Sequence, residues 1–232
     1  MHAAETKIER KYIREEYGMD SIELLAENGI TGPDVILAHT VFANTREKKI
    51  MAETGTNVAH CPSVFVTRGE YMRSLQSYTD LGVNVGIGTD TFPQDEIREM
   101  RVAASMSKVA DCDFRSAKSE LVYKCATQNG AKALGRRDIG RLTEGAKADI
   151  AVVDMNGFNT IPVRDPIKVL LSCGTAHNVT DTIVNGRVLM KDRVLLSMDR
   201  EAVSREAWRA ARTIWDRVPN LTTLSPLSCP IL

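Results

Sequence analysis

The chain has 232 residues, and its 30 Lys and Arg side chains are balanced by 30 Asp and Glu side chains. This length predicts one or two domains and is sufficient to bury a hydrophobic core. Because the formal net charge is zero at pH 7, no global field favours nucleic acid or a membrane surface as a partner. We therefore expect the partner to be a small molecule or another protein surface.

Cysteine usage argues against a fold held by disulfides. The five cysteines are scattered and form no Cys-x-x-Cys pair, which predicts neither a disulfide framework nor a cysteine-based zinc site. No basic segment followed by an apolar one opens the chain, and no apolar run approaches about 20 residues, so neither a signal peptide nor a membrane span is predicted. A reducing cytoplasm is the expected location.

Short apolar runs alternate with amphipathic segments in residues 1–138. Strands are predicted at the start of the chain and at residues 34–39, 56–60 and 83–87, each leading to a histidine or an aspartate. Helices are predicted at residues 7–16, 21–28, 45–53, 70–79, 94–108 and 116–134. The alternation predicts an α/β fold with a parallel sheet, and four such units make half of a (β/α)8 TIM-type barrel, which takes about 250 residues.

The pattern changes after residue 138. Residues 139–198 predict a small β-rich domain, with strands at 149–154, 179–184, 187–190 and 193–195. The Asn185–Gly186 pair indicates a hairpin turn, and Pro166 indicates a short connecting helix. Residues 199–232 predict a C-terminal helix to about Arg217, followed by a loosely held tail.

Three of the four histidines, His2, His39 and His60, fall at predicted strand ends, and Asp90 follows the fourth strand. The carboxyl ends of parallel strands meet at one edge of a sheet, where the active sites of α/β proteins collect. From its position alone, Asp90 is equally well explained as a metal ligand or proton carrier and as the cap of the following helix or of a turn. Imidazole and carboxylate are ligands that zinc and iron prefer, so His2 and Asp90 are candidate metal ligands and Glu5 is a candidate proton carrier.

Four short segments occur in the order MHAAET, AHT, AHCPS and GTD, and they are followed at residues 139–154 by IGRLTEGAKADIAVVD. Together they resemble the amidohydrolase superfamily, in the branch that contains cytosine, guanine and adenosine-type deaminases and triazine chlorohydrolases. The resemblance runs from His2 to about Arg193 and identifies the four segments with strands five to eight of the family's barrel. It implies that residues 1–138 form the C-terminal half of that barrel.

The resemblance also implies a role for each site residue. His2 would be a metal ligand, and Asp90 would be both the strand-eight ligand and the acceptor of the proton from the attacking water. Glu5 would protonate a ring nitrogen of the substrate, and His39 would polarise the reacting centre. His60 matches a position for which a structural role is expected, with substrate contact as the alternative.

The implied activity is metal-dependent hydrolysis of a C–N or C–Cl bond in a nitrogen heterocycle, deamination first among these, with one divalent zinc or iron ion as cofactor. The family's His-x-His ligand pair has no counterpart in this sequence, and neither do strands one to four. Because a catalytic zinc site ordinarily has three protein ligands, we expect an oligomer or a complementing N-terminal half, and the sequence leaves open whether the true start lies upstream. The alternatives are a truncated, inactive half-barrel that binds no metal and serves as a scaffold or pairing module, or an unrelated α/β protein.

Overall fold

A computed structural model describes residues 1–91 and 94–217 of the chain. Its first sheet contains four parallel strands in the order β1-β2-β3-β4. The strands are β1 His2–Ala3, β2 Ile36–His39, β3 Asn57–His60 and β4 Asn84–Ile87. The predicted α/β fold and the predicted parallel strands are therefore confirmed, and each strand follows its predecessor in space as it does in sequence.

Eight α-helices accompany this sheet. They are α1 Lys7–Tyr17, α2 Ser21–Glu27, α3 Thr45–Thr54, α4 Pro62–Val66, α5 Leu75–Thr79, α6 Glu96–Asp111, α7 Ser119–Lys124 and α8 Gly130–Ala133. Their ends follow local chemistry. Asn44 and Glu47 form a capping box at the start of α3, and Gly55 ends that helix with φ at 76°.

One helix prediction was wrong in its extent, and one helix was missed. The helix predicted over 70–79 begins only at Leu75, because the side chain of Ser74 caps it and Glu70 instead closes a turn onto the carbonyl of Phe65. Helix α4, with Pro62 in its first turn, was not predicted. Both differences lie in the connection between β3 and β4.

The long helix predicted over 116–134 is divided by a π-helical turn, Cys125–Asn129, that joins α7 to α8. The Asn129 side chain donates to the carbonyl of Val85 at 3.0 Å, so the widened turn is bonded directly to β4. The two layers are also close at Gly86, where an added Cβ would lie 3.4 Å from the Cα of Gly130. The lack of a side chain at Gly86 permits this approach of strand and helix, whereas a Cβ added at Gly130 would meet no atom within 4 Å.

A second sheet contains four antiparallel strands, β5 Ile150–Val153, β6 Val179–Val184, β7 Arg187–Lys191 and β8 Val194–Leu195. The predicted hairpin is confirmed, and both of its turn residues have positive φ, 50° at Asn185 and 78° at Gly186. Helix α9, Pro166–Cys173, is capped by Asp165. Helix α10, Arg200–Arg217, has no buried residue, and the predicted tail at 219–232 lies outside the described residues.

The main core lies between the parallel sheet and its helices. Its fully buried members include Leu37, Val58 and Val85 from the strands and Met51 from α3. Leu171 of α9 joins the same cluster, so α9 packs on this part of the molecule. Among the described residues, no helix combines the length and the apolar character that crossing a bilayer requires.

Candidate active site

The ends of β1 and β2 bring together three side chains predicted from the sequence. One ligand atom each from His2, Glu5 and His39 lies within 4.8 Å of the others. The rings of His2 and His39 are also close, with centroids 4.8 Å apart and planes inclined at 37°. Two imidazoles and a carboxylate at this spacing could hold a divalent metal ion.

Asp90 lies beside this group. Its Oδ2 is 3.8 Å from Nε2 of His39, and the aspartate side chain is 29% exposed whereas the histidine side chain is 3% exposed. Helix α6 is capped by Asp95, whose side chain accepts from the N–H of Arg98 at 3.1 Å. The alternative explanation of Asp90 as the cap of that helix is therefore wrong, and its carboxylate is available to the site.

The backbone is left-handed at three of the four strand ends. The positive φ angles are 49° at Ala4, 74° at His39, 48° at Thr40 and 55° at Asp90. Such a conformation costs a non-glycine residue of the order of 1–3 kcal/mol and persists only where surrounding contacts impose it. The Tyr78 hydroxyl donates to the carbonyl of Thr40, and the N–H of Phe42 donates to the carbonyl of Ala4 at 2.9 Å.

His39 is buried against the edge of the Phe65 ring, with centroids 4.9 Å apart. Burial lowers the pKa of His39, and this effect outweighs the opposing influence of the carboxylates of Glu5 and Asp90. A neutral imidazole keeps one ring nitrogen available as a ligand or hydrogen-bond acceptor. The buried Nδ1 of His39 has no hydrogen-bond partner among the described residues.

His60 is buried and does not belong to the group formed by His2, Glu5 and His39. Burial is the main cause that lowers its pKa to about 3, with the charge of His39 second. Its backbone carbonyl accepts from the N–H of Gly88 at 3.0 Å, so it connects the end of β3 to the segment before Asp90.

Glu5 is held by two residues that were not predicted. The carboxylate of Glu9 accepts from the N–H of Ala4 at 2.7 Å and from the N–H of Glu5 at 2.8 Å. Arg68 places its Nη1 3.9 Å from Oε1 of Glu5. The spacing of Thr6 and Glu9 is that of a capping box, in which Glu9 would accept from the N–H of Thr6, but in the structure Glu9 accepts from the N–H groups of the two preceding residues instead.

Two buried carboxyl groups on the first turns of α6 were also missed. Oε2 of Glu99 accepts from the N–H of Ser63 at 2.9 Å, and neither Oε1 of Glu99 nor Oε1 of Glu96 has a partner among the described residues. Burial, and then the neighbouring Glu99, raises the pKa of Glu96 to about 7. Burial and the charge of Asp90 raise the pKa of the Cys61 thiol to about 12, which leaves that thiol protonated and unreactive.

This chain is similar to several curated proteins over about half of the length of those proteins. A 5-methylthioadenosine/S-adenosylhomocysteine deaminase of Thermococcus onnurineus is 39% identical over 199 residues, which are 84% of this chain and 47% of the relative. A 5'-deoxyadenosine deaminase of Methanosarcina mazei is 34% identical over 94% of this chain and 51% of the relative. The chain thus spans about half the length of the curated relatives it matches.

Solved structures agree with these relatives. An adenosine deaminase from Xanthomonas campestris with bound zinc matches with a TM-score of 0.88 at 28% identity, over 92% of this chain and 50% of that one. The atrazine chlorohydrolase TrzN from Arthrobacter aurescens, complexed with zinc, matches with a TM-score of 0.80 at 27% identity, over 88% and 46% of the two chains. A model of the Amidohydrolase family matches residues 1–189, which confirms the resemblance seen in the sequence. The chain belongs to the amidohydrolase family.

Proposed function

We propose that this chain provides part of the site of a metal-dependent hydrolase that removes an amino group from a nitrogen heterocycle. The observation that carries the proposal is the convergence of His2, Glu5 and His39, with Asp90 beside His39, at the carboxyl edge of the parallel sheet. The named activities of the relatives make purine nucleosides such as adenosine the first substrates to test.

The donor set fits a divalent metal ion. Imidazole and carboxylate groups lie together at one edge of the sheet, with Asp90 beside the group of His2, Glu5 and His39, and both are ligand types that zinc prefers. We assign His2 and Asp90 as ligands and propose zinc, which two structural neighbours bind. When bound, zinc supplies a water with a pKa of about 7.

The chain's own residues would then move the protons. Asp90 accepts the proton of the attacking water at a carboxylate oxygen and passes it to the departing amino group, while His39, 3.8 Å away, holds the reacting centre by a hydrogen bond. Arg68 lies at Oε1 of Glu5, which leaves Oε2 free to protonate the ring nitrogen. One C–O bond forms, one C–N bond breaks and ammonia leaves, and the second proton of the water, on the new C–OH group, returns to Glu5 as the carbonyl forms.

We also propose the wider organisation. Residues 1–138 are a C-terminal half-barrel that corresponds to strands five to eight, 139–198 a small β domain, and 199–232 a C-terminal helix and tail. The site is completed by an oligomeric partner or by a complementing N-terminal half. His60 is proposed to support the end of β3, with substrate contact as the alternative. Free thiols at all four described cysteines support a cytoplasmic setting.

The test uses the full chain, loaded with zinc, and measures ammonia release from adenosine, 5'-deoxyadenosine and methylthioadenosine. The Glu5→Gln and Asp90→Asn variants should each lose over about 10²-fold in rate, the scale expected for loss of a proton-transfer group. Glu15→Gln on the exposed side of α1 is the matched control and should leave the rate unchanged. Chloride release from atrazine, measured in parallel, tests the second activity named among the structural neighbours.

Two results would contradict the proposal. Ammonia release that survives both substitutions would place the chemistry elsewhere. Absence of both stoichiometric zinc and ammonia release, in the chain alone and after mixing with a protein that supplies the N-terminal half of a relative's barrel, would support the alternative of an inactive scaffold.

A further inference from the structure

A cavity that is separate from the candidate active site lies between α1, α3 and the loop that follows β2. Its volume is about 700 Å³, within the range of small-molecule sites. Six basic side chains line it, and Glu15 is the one acidic residue among the described lining residues. The basic residues are Lys7, Arg10, Lys11, Arg14, Lys48 and Arg73. We call this space the basic cavity.

Some of these cations are already paired. Asp20 lies 2.6 Å from the guanidinium groups of both Arg10 and Arg14, so those two charges are largely compensated. Lys7 and Lys11 make only looser contacts with carboxylates, at 3.5 Å and 3.7 Å, and both lysine side chains are 75% exposed. Exposed pairs of this kind are weak and are readily exchanged for a ligand.

Lys48 is different because its ammonium group is buried and, among the described residues, has no carboxylate within ion-pair distance. The residue is 8% exposed, its Nζ donates to the hydroxyl of Ser77 at 2.6 Å, and it lies 4.2 Å from the centroid of the Tyr78 ring. It forms no ion pair with any residue that the structure describes. An ammonium group has three donors, and buried charges are normally paired, so donors of Lys48 remain available to an anion.

Arg73 adds a second available cation from a different segment. Its side chain is exposed and lines the same cavity, and within residues 1–91 and 94–217 it takes part in no ion pair. Burial is the main cause that lowers the pKa of Lys48; the carboxylate of Asp111 opposes this effect, and the proximity of Arg73 adds to it. Two cations that repel one another and share a cavity are stabilised by an anion placed between them.

One wall of the basic cavity is apolar. Val41 and Phe42 line it, and the ammonium group of Lys7 lies 5.6 Å from the centroid of the Phe42 ring. We propose that the basic cavity binds an organic phosphate, with Lys48 and Arg73 contacting the phosphate and Val41 and Phe42 contacting the organic group. A phosphate suits this pair because its several oxygens accept hydrogen bonds from an ammonium and a guanidinium together. The cavity shares no lining residue with His2, Glu5, His39 or Asp90.

The test measures binding of phenyl phosphate and of inorganic phosphate to the full chain by calorimetry, at one ionic strength set with chloride. Phenyl phosphate should bind saturably at one site, at least about 10-fold more tightly than inorganic phosphate, because only it contacts the apolar wall. Lys48→Met and Arg73→Ala should each weaken it at least about 10-fold. Lys49→Met, the next residue on α3 and exposed, is the matched control and should bind as the unaltered chain does.

Three results would overturn the proposal. They are the lack of saturable binding of either compound, equal affinity for the two compounds, and affinity that neither Lys48→Met nor Arg73→Ala reduces. Because Lys48 is buried, its variant is checked for folding by circular dichroism, and the exposed Arg73 provides a test that does not depend on that check. Zinc and turnover play no part in the measurement, so its outcome is independent of the proposed hydrolase activity.

Discussion

Nε2 of His39 and Oδ2 of Asp90 lie 3.8 Å apart. His39 is the last residue of β2 and Asp90 follows β4, and these two strands are separated by β3 and do not pair with each other. Both residues have left-handed backbone conformations at their strand ends, 74° and 55° in φ. Their side chains meet because the chain turns sharply as it leaves each strand. The geometry of the site is therefore set by the turns as much as by the sheet.

Metal affinity should depend on His2 and not on the remaining histidine, His177. Replacing His2 with alanine removes a ligand from the group within 4.8 Å, so bound zinc should fall at least about 10-fold under matched free-zinc concentrations. His177→Ala, at an exposed position, should leave zinc content unchanged. Elemental analysis after equilibrium dialysis measures both, and equal zinc in the two variants would contradict the assignment of His2.

Tyr78→Phe should destabilise the loop that follows β2. The substitution leaves the Thr40 carbonyl without its donor at a buried position, which should cost about 1–3 kcal/mol in the free energy of unfolding. Urea denaturation of the variant measures this change. The control is Tyr71→Phe at a position that is 39% exposed, and comparable losses in the two variants would count against a specific role of the buried hydroxyl.

Glu96 should make stability fall as pH rises. Its pKa is raised from 4.5 to about 7 in the folded chain, so the folded state holds the proton more tightly than the unfolded state does. Between about pH 4.5 and pH 7, this carboxyl group ionises in the unfolded state while it stays protonated in the folded state. The free energy of unfolding therefore falls as pH rises, by up to about 3 kcal/mol. Below that range the group contributes no penalty.

Glu96→Gln should abolish this component and leave the chain more stable than the unaltered one at pH 8. Denaturation curves collected at pH 4 and pH 8 measure the difference. Glu144→Gln, at an exposed position with no ion pair among the described residues, should retain the unaltered pH dependence. A variant at Glu96 that keeps the full slope would show that a different group causes the loss of stability.

Arg101 connects α6 to the segment around α9, and its replacement should destabilise that segment. Its Nε donates to the carbonyl of Leu171 at 2.7 Å, and its Nη2 donates to the carbonyl of Gly174. Arg101→Met removes both bonds and should cost about 1–3 kcal/mol, with faster hydrogen exchange in α9. Arg98→Met, exposed on the same helix, should change neither quantity, and unchanged exchange in the Arg101 variant would refute the connection.

The parallel strands could be predicted because each one combines an apolar run with a polar residue at its end. The run before His39 is a clear case, and β2 ends at that residue. Helix starts were equally local, since Asn44 and Glu47 form the capping box that begins α3. These features depend on residues within a few positions of one another, so one sequence contains the necessary information.

The elements that were missed depend on distant contacts. Helix α4 is held by the carboxylate of Glu99, which accepts from the N–H of Ser63 across 36 residues. The π-helical turn depends on the bond from Asn129 to Val85, across 44 residues. Neither partner can be identified from spacing in the chain, and uninterrupted helices were the natural expectation from periodicity.

The candidate site was likewise predictable only in part. The meeting of His2, Glu5 and His39 could be predicted because strand ends share one edge of a sheet. The roles assigned to these side chains remain predictions. A buried acid such as Glu96 was not expected, because local sequence does not reveal that a carboxyl group will be removed from water.

The close approach of Gly86 to Gly130 lets the helical layer set the position of β4 relative to the candidate site. A Cβ at Gly86 would already be in contact with backbone at 3.4 Å, so alanine nearly fills the gap and any larger side chain must push β4 outward. Asp90 lies four residues beyond Gly86 and would be carried with the strand. The distance between the Asp90 carboxylate and His39 therefore depends on the packing of Gly86 against the helical layer, although Gly86 contacts neither residue.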